Sequence, residues 1–480
     1  MATKFSNGTK ERAKGASSKD HSITSSTETA QGKEVSQEAL NAYTRITNLP
    51  GKANQCRPIT IFRLPMYIRS KNKALHEPKL VSIGPYYHNT EPLRTLEEHK
   101  CWGLRDFIET HCVNLPNCIQ KIEALEAVAR QCYSETLSLG RDEFVQMLIL
   151  DGCFILEFIR KHYGNVPDSF FDIERNKATI LNDILLVENQ IPFFILHELF
   201  NIATNSASCS EISCKFRDLI FGLLPPQILW RQPQISCKKI HHLLHFYYLC
   251  MVPHPGSMRP ANRSFSYKTS SGDKVTLSGI EQSNLTKGKN YNTERDKPLG
   301  IPSVNELHEA GVKFKRKRKP RHLLDITFEN GVMEIPALYI DDLNCVLLAN
   351  ILAFEQTAYG PGEIISHFVS FYDNLIDTKF DVSWLERRKI LINMIGSEAE
   401  AASFFNLLGK WNLVEYSEEY QSLITKVQTY AYSLWPRYRA NLMRDYFINP
   451  WTTISVVAGI VLLGLTALQT YYTVYSSLNS

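Results

Sequence analysis

The sequence predicts a mainly α protein: a multi-helix globular domain with a small β-hairpin near 324–336 and one C-terminal transmembrane helix. Three observations lead there. Stretches such as "RDEFVQMLILDGCFILEFIRKHY" space their apolar residues at helical intervals. Asn330-Gly331 separates two β-like runs in "LLDITFENGVMEIPALYID", a strong short-range hairpin signal. From Tyr446 to Ser480 no residue is charged.

The elements follow in chain order. Residues 1–45 are rich in Ser, Thr, Lys and Glu and poor in large apolar groups, so a disordered arm is expected. Apolar density rises at "ITIFRLPMYIR", and the helical domain is expected over 46–446. "VSIGPYYHNTEPL" (81–93) reads as an irregular packed segment or an edge strand ending in a turn. In the long helix, Phe144, Met147, Leu148, Asp151, Ile155 and Phe158 share one face. Asp142 and Glu143 suit its N-terminal end, and Arg160, Lys161 and His162 its C-terminal end. "TILNDILLVENQIPFFILHELFNIA" is a second helical block that Pro192 breaks or kinks after Ile191. The polar stretch 251–300 interrupts the domain as a disordered insertion. After the hairpin, residues 341–446 read as several helices.

The transmembrane helix is expected over 451–472, with a short polar tail over 473–480. A bilayer core needs roughly 20 apolar residues at 1.5 Å rise each. Ile454, Val457, Ile460, Leu463 and Leu468 supply the apolar surface, with Trp451 at one end and Tyr471 at the other, where headgroups favour amphipathic rings. Arg437, Arg439 and Arg444 precede the span and no cation follows it. The positive-inside rule therefore predicts a single-pass protein whose bulk is cytosolic. "MATKFSNGTKERAKGASSKD" has no apolar core of a secretory signal. The 11 cysteines are scattered without a CxxC pair, which suits reduced thiols.

A net charge of +4 gives no global field for nucleic acid, and none is expected as a partner. Seven of the 53 Lys and Arg residues are concentrated in "KFKRKRKPR": Lys313, Lys315, Arg316, Lys317, Arg318, Lys319 and Arg321. The run reads as a solvated loop before the hairpin, or as a surface for anionic lipid or an acidic partner. Asn262 and Asn284 head glycosylation sequons that become acceptors only if this region faces a lumen or the exterior.

Chemistry-bearing residues are few. His241 and His245 in "KKIHHLLHFYY" fall on one face if the segment is helical, a spacing that suits a metal or an interface. HExxH is absent, as are a Walker loop, a G-x-S-x-G elbow and a GxGxxG after a strand. No metal or other cofactor is expected. Asp151, Glu188 and Glu355 sit inside apolar runs. Converged in a cleft, they would serve acid–base chemistry. Apart, they would cap broken helix ends and pair with Arg or backbone N–H groups.

The blocks "IFRLPMYIR", "EPKLVSIGPYYHN", "MLILDGCFILEFI", "LLVENQIPFFIL", "IPSVNELHEAGVKFK", "LLDITFENGVMEIPAL", "ANILAFEQT", "GSEAEAASFFNLL" and "YFINPWTTISVVAGIVLLGLT" resemble, in order, the plant-specific domain of unknown function 247 family. The resemblance implies a mostly helical fold, one C-terminal membrane helix and a plant source. It implies little about activity, since none is generally established for the family; some grass members are linked to self-incompatibility. The expectation is a membrane-anchored interaction or signalling protein, with the bilayer and other proteins as partners. The alternative is a membrane-anchored hydrolase using the three carboxylates.

Overall fold

The structure, a computed structural model, describes residues 59–70, 72–164, 166–205, 209–224, 236–253, 265–268, 274–277, 300–358, 362–410, 412, 417–433 and 450–478. The expected arm at 1–45, Arg437, Arg439, Arg444, Asn262 and Asn284 lie outside the described residues. So does most of the insertion at 251–300.

Short helices α1 (Met66–Arg69) and α2 (Lys73–His76) open the described chain. Residues 77–90 then run without helix or strand. α3 (Glu97–His111), α4 (Leu115–Glu123) and α5 (Glu126–Arg130) lead to α6 (Arg141–Gly164). The α6 sequence is apolar on every side, and a helix of that kind belongs in a core. From Phe144 to Ile159 only Gln146 escapes burial. Helices α3, α4 and α5 pack around it.

The second block breaks earlier than the proline alone predicts. α7 (Glu174–Asp183) stops eight residues before Ile191, and Ile184–Ile191 is buried without being helical. Pro192 then caps α8 (Phe193–Thr204), which also packs on α6. α9 (Cys209–Phe221) and α10 (Leu243–Met251) follow. Inside the insertion, β1 (Phe265–Lys268) and β2 (Lys274–Leu277) pair antiparallel.

α11 (Val304–Glu309) starts in a capping box between Ser303 and Glu306. β3 (Lys313–Arg316), β4 (Thr327–Glu329) and β5 (Val332–Ile335) form a sheet of order β3-β5-β4. The β4–β5 hairpin turns at Asn330 and Gly331, with φ of 49° and 74°. Both positive angles are what a type I′ turn requires and what the Asn-Gly pair supplies. The hairpin thus gains a third, parallel strand, because the expected loop is a strand over its first four residues: Phe314 is buried and Lys313–Arg316 pairs with Val332–Ile335, while 317–321 stays irregular.

β6 (Leu338–Ile340) leads into α12 (Asp342–Thr357), capped by the Asp341 carboxylate. α12 is the second central helix, buried from Asn344 to Glu355 and touched by α2, α7, α10 and α13 (Ile364–Leu375). α14 (Lys379–Arg387), β7 (Leu391–Asn393), α15 (Glu398–Gly409) and α16 (Glu418–Ala431) complete the domain, with β7 parallel to β6. The final helix, α17, runs Pro450–Leu478, so the expected short tail continues the helix almost to the end. No disulfide forms among the described residues.

Candidate functional site

Two irregular segments, residues 77–90 and 184–191, meet between α6 and α12, joined by backbone around α1 and α2. Buried backbone that joins neither helix nor sheet must find other partners for its N–H and C=O groups. Here side chains supply them. Asp183, at the end of α7, accepts from the N–H groups of Lys79 (2.9 Å), Leu80 (2.7 Å) and Val81 (2.8 Å). Asn189 accepts from Ile83 N–H at 2.7 Å and donates to the carbonyls of Val81 and Asp183. Gln190 donates to the carbonyls of Ile184 and Leu186 and accepts from Leu244 N–H. From α12, Asn350 accepts from Val187 N–H at 3.0 Å and donates to Leu75 and Val346 carbonyls.

The predicted carboxylates belong to this scaffold rather than to a cleft. Glu188 accepts from Leu64 N–H at 2.5 Å, from the Tyr87 hydroxyl at 2.7 Å and from Arg69 at 3.4 Å. Asp151 accepts from Gly84 N–H at 2.7 Å, and its other oxygen lies 2.7 Å from Lys100 Nζ. Lys100 is fully buried and also donates to Glu97 (2.7 Å) and Ser82 (3.1 Å). Burial pulls the Lys100 ammonium down, but Asp151 and Glu97 outweigh it and raise it above its ordinary value. Glu355 stands apart, capping the start of α13 through the N–H groups of Ile365 (3.0 Å) and Ser366 (2.6 Å), with Tyr248 at 3.3 Å.

Gly84 shows how closely the segments approach. Its φ is +80°, and a Cβ there would overlap the Gln190 carbonyl oxygen. Gly84→Ala is therefore expected to cost about 2–3 kcal/mol from strain and overlap. A urea titration of the full chain checks this; an unchanged midpoint would refute the close fit.

The histidines also serve as backbone partners. His241 precedes α10 instead of sharing its face with His245, because the helix begins only at Leu243. His242 is the cap: its Nδ1 accepts from His245 N–H at 3.2 Å, and its Nε2 faces the Thr60 carbonyl at 3.1 Å. His245 Nδ1 in turn accepts from His241 N–H at 3.0 Å, and the two rings stack with centroids 4.3 Å apart. Among the described residues no group of three metal-ligating side chains converges.

Space for a substrate is scarce around these groups. The hollow beside Asn189 and Gln190, lined also by Ile83 and Leu243, has no room for a water. A second, lined by Met251, Leu338, Leu347 and Phe368, offers about 30 Å³. An acid–base group needs an open face toward a bound molecule. Asp151, Glu188 and Glu355 turn their oxygens to backbone, hydroxyl and cationic partners instead.

Two features lie at the surface. In the basic run, Lys317 (2.8 Å) and Arg321 (3.3 Å) pair with Asp325, which they hold well below the usual carboxylate range against its burial. Lys313, Lys315, Arg316, Arg318 and Lys319 are exposed. In α17, the 21 residues Ile454–Val474 are long and apolar enough to cross a membrane, and none is buried against the protein. Ile454, Val457, Ile460, Leu463, Leu468 and Tyr471 are all exposed. The Trp451 side chain lies outside the described residues.

A family model described as a plant protein of unknown function matches residues 61–465. The chain belongs to the DUF247 family. The UPF0481 protein At3g47200 of Arabidopsis thaliana is 28% identical over 446 residues, covering 89% of this chain and 88% of the relative. A second Arabidopsis UPF0481 protein, At3g02645, is 22% identical over 483 residues, covering 87% and 91%. No solved structure matches. In this DUF247 chain the blocks that carried the resemblance are largely the scaffold just described: "EPKLVSIGPYYHN" supplies the irregular backbone, and "MLILDGCFILEFI", "LLVENQIPFFIL" and "ANILAFEQT" supply its partners.

Sequence reasoning missed Lys100, Asp183 and Asn350. For Asp183 and Asn350 a signal existed, a polar residue inside "ILNDILL" and "LLANILAF". For Lys100 none did, since "EEHKCWGL" reads as an ordinary solvent-facing helix turn.

Proposed function

We propose that this DUF247 protein is a non-enzymatic interaction or signalling protein held at a membrane by α17, with its helical domain on the cytosolic side. The observation that carries the reading is the 21-residue apolar stretch with no protein covering it. Apolar area of that length left in water would be strongly unfavourable, and a bilayer removes it. The cytosolic side follows from Arg437, Arg439 and Arg444 before the span. The carboxylates give the hydrolase alternative no support, because their hydrogen bonds are spent on the scaffold. Recognition of another protein is the form of the proposal that the family resemblance favours.

Topology is the test. In microsomes the full chain is expected to resist alkaline carbonate extraction, to lose its domain to added protease, and to carry no glycan at Asn262 or Asn284. A protected, glycosylated domain would reverse the orientation and place the working surface in the lumen or outside the cell. Complete carbonate release would remove the anchor.

A further inference from the structure

The basic edge belongs to the three-stranded sheet on which α16, the last described helix before α17, packs. β3 is an edge strand, paired on one side only, by β5. Phe314 is its one buried residue, while Lys313, Lys315 and Arg316 are exposed, and Arg318 and Lys319 continue the exposed run. Among the described residues no carboxylate closes an ion pair with any of these five. Asp325 is taken by Lys317 and Arg321, and Glu334 stands opposite Lys315 in the ladder without closing an ion pair. Charge on an edge strand deters pairing with other chains, but here the exposed cations continue past the end of the strand to Arg318 and Lys319.

The route of the chain adds the second observation. α16 ends at Ala431, and its Tyr430 ring stands edge-on to Phe328 of β4, with centroids 5.5 Å apart. β3 lies two strands from β4, roughly 10 Å across the sheet. Residues 432–449, which join α16 to α17, can extend to at most about 65 Å. The link keeps the basic edge within reach of whatever surface α17 enters.

We infer that the β3 edge is a docking surface for anionic phospholipid headgroups of the membrane that α17 spans. Exposed lysine and arginine next to a bilayer are drawn to its negative surface within a Debye length. The inference rests on the anchored reading, and the experiment separates the two.

The full chain is reconstituted with vesicles of phosphatidylcholine alone or with a third of phosphatidylserine, then treated with a membrane-impermeant amine-acylating reagent and read by peptide mass spectrometry. Labelling of Lys313, Lys315 and Lys319 is expected to fall about threefold or more in the anionic vesicles and to recover at roughly 0.5 M salt. Lys238 and Lys239, exposed on another element, are expected to label equally in both. The variant Arg316→Glu with Arg318→Glu keeps the three lysines as probes and is expected to abolish their protection. Equal labelling in both vesicles overturns the inference and leaves an acidic protein as the partner class. So does an equal fall at Lys238 and Lys239. Flotation with the neutral vesicles reports the anchor independently: a chain that fails to float there, yet shows protected lysines on anionic vesicles, keeps the docking surface and loses the anchor.

Discussion

Replacing Lys100 with methionine destabilises the domain by about 3–5 kcal/mol, the usual consequence of removing one partner from a buried ion pair. Methionine nearly matches the length of the lysine side chain, so little of the effect comes from lost volume. What remains is Asp151, buried within α6, with one oxygen on Gly84 N–H and the other facing an apolar thioether. Burial already pushes the Asp151 carboxyl above its ordinary range, against the pull of Lys100. Without that pull it takes up a proton or unfolds the segment. The double variant Lys100→Met with Asp151→Asn is expected to recover part of the loss, because a neutral amide needs no counter-charge. Arg105→Met breaks a solvent-facing pair with Glu109 and is expected to leave stability unchanged. Urea titrations of the full chain in detergent compare the four proteins. If Lys100→Met unfolds at the same concentration as Arg105→Met, the buried pair does not hold the scaffold.

What the sequence reveals follows from what each signal measures. Apolar residues report where a chain leaves water, so α6 is legible almost from end to end and the C-terminal helix to within six residues of its end. Turn chemistry reports local backbone, so Asn330-Gly331 fixes the hairpin. Neither reports a side chain that bonds backbone a hundred residues away. The break after Asp183 is hidden for that reason: "LLVENQI" is apolar enough for a helix, but Asn189 and Gln190 satisfy an irregular path instead. The β3 strand is hidden differently. Only Phe314 is apolar there, and its parallel partner lies beyond the next turn of chain. The candidate carboxylates were legible as polar residues in apolar surroundings. Their partners were not, because Lys100 and the 59–90 segment reach them only through the tertiary fold.

Acidification weakens the fold between about pH 6.5 and 4.5, and the sign follows from the buried histidines. Burial, offset weakly by Asn350, lowers His76 to about 4. Burial and the neighbouring His241 lower His242 to about 3, against the Thr60 carbonyl. His245 is driven well below its ordinary value by burial and by the other two rings. The geometry agrees, since Nδ1 of His242 and of His245 must stay unprotonated to accept their N–H groups. These rings charge in the unfolded chain first, so their stabilisation is complete above the unfolded pKa near 6.5 and is lost as pH falls toward their folded values. Asp183 and Glu355 oppose this. Burial raises Asp183 to about 6 and Glu355 to about 7, despite the N–H groups that bond them. A raised carboxyl favours the fold below its unfolded pKa and loses that contribution as pH rises through the folded one. Between about pH 6 and 4.5 three histidines outweigh two carboxyls, leaving a net loss of roughly 1.4 kcal/mol per pH unit from these five groups. Glu355→Gln removes one opposing group and is expected to steepen the slope by about the same amount. His242→Asn keeps a capping acceptor that does not titrate, and is expected to flatten it by a similar amount. Denaturant midpoints across this range decide the matter: parallel pH profiles for the parent chain and both variants would mean that neither group couples protons to folding.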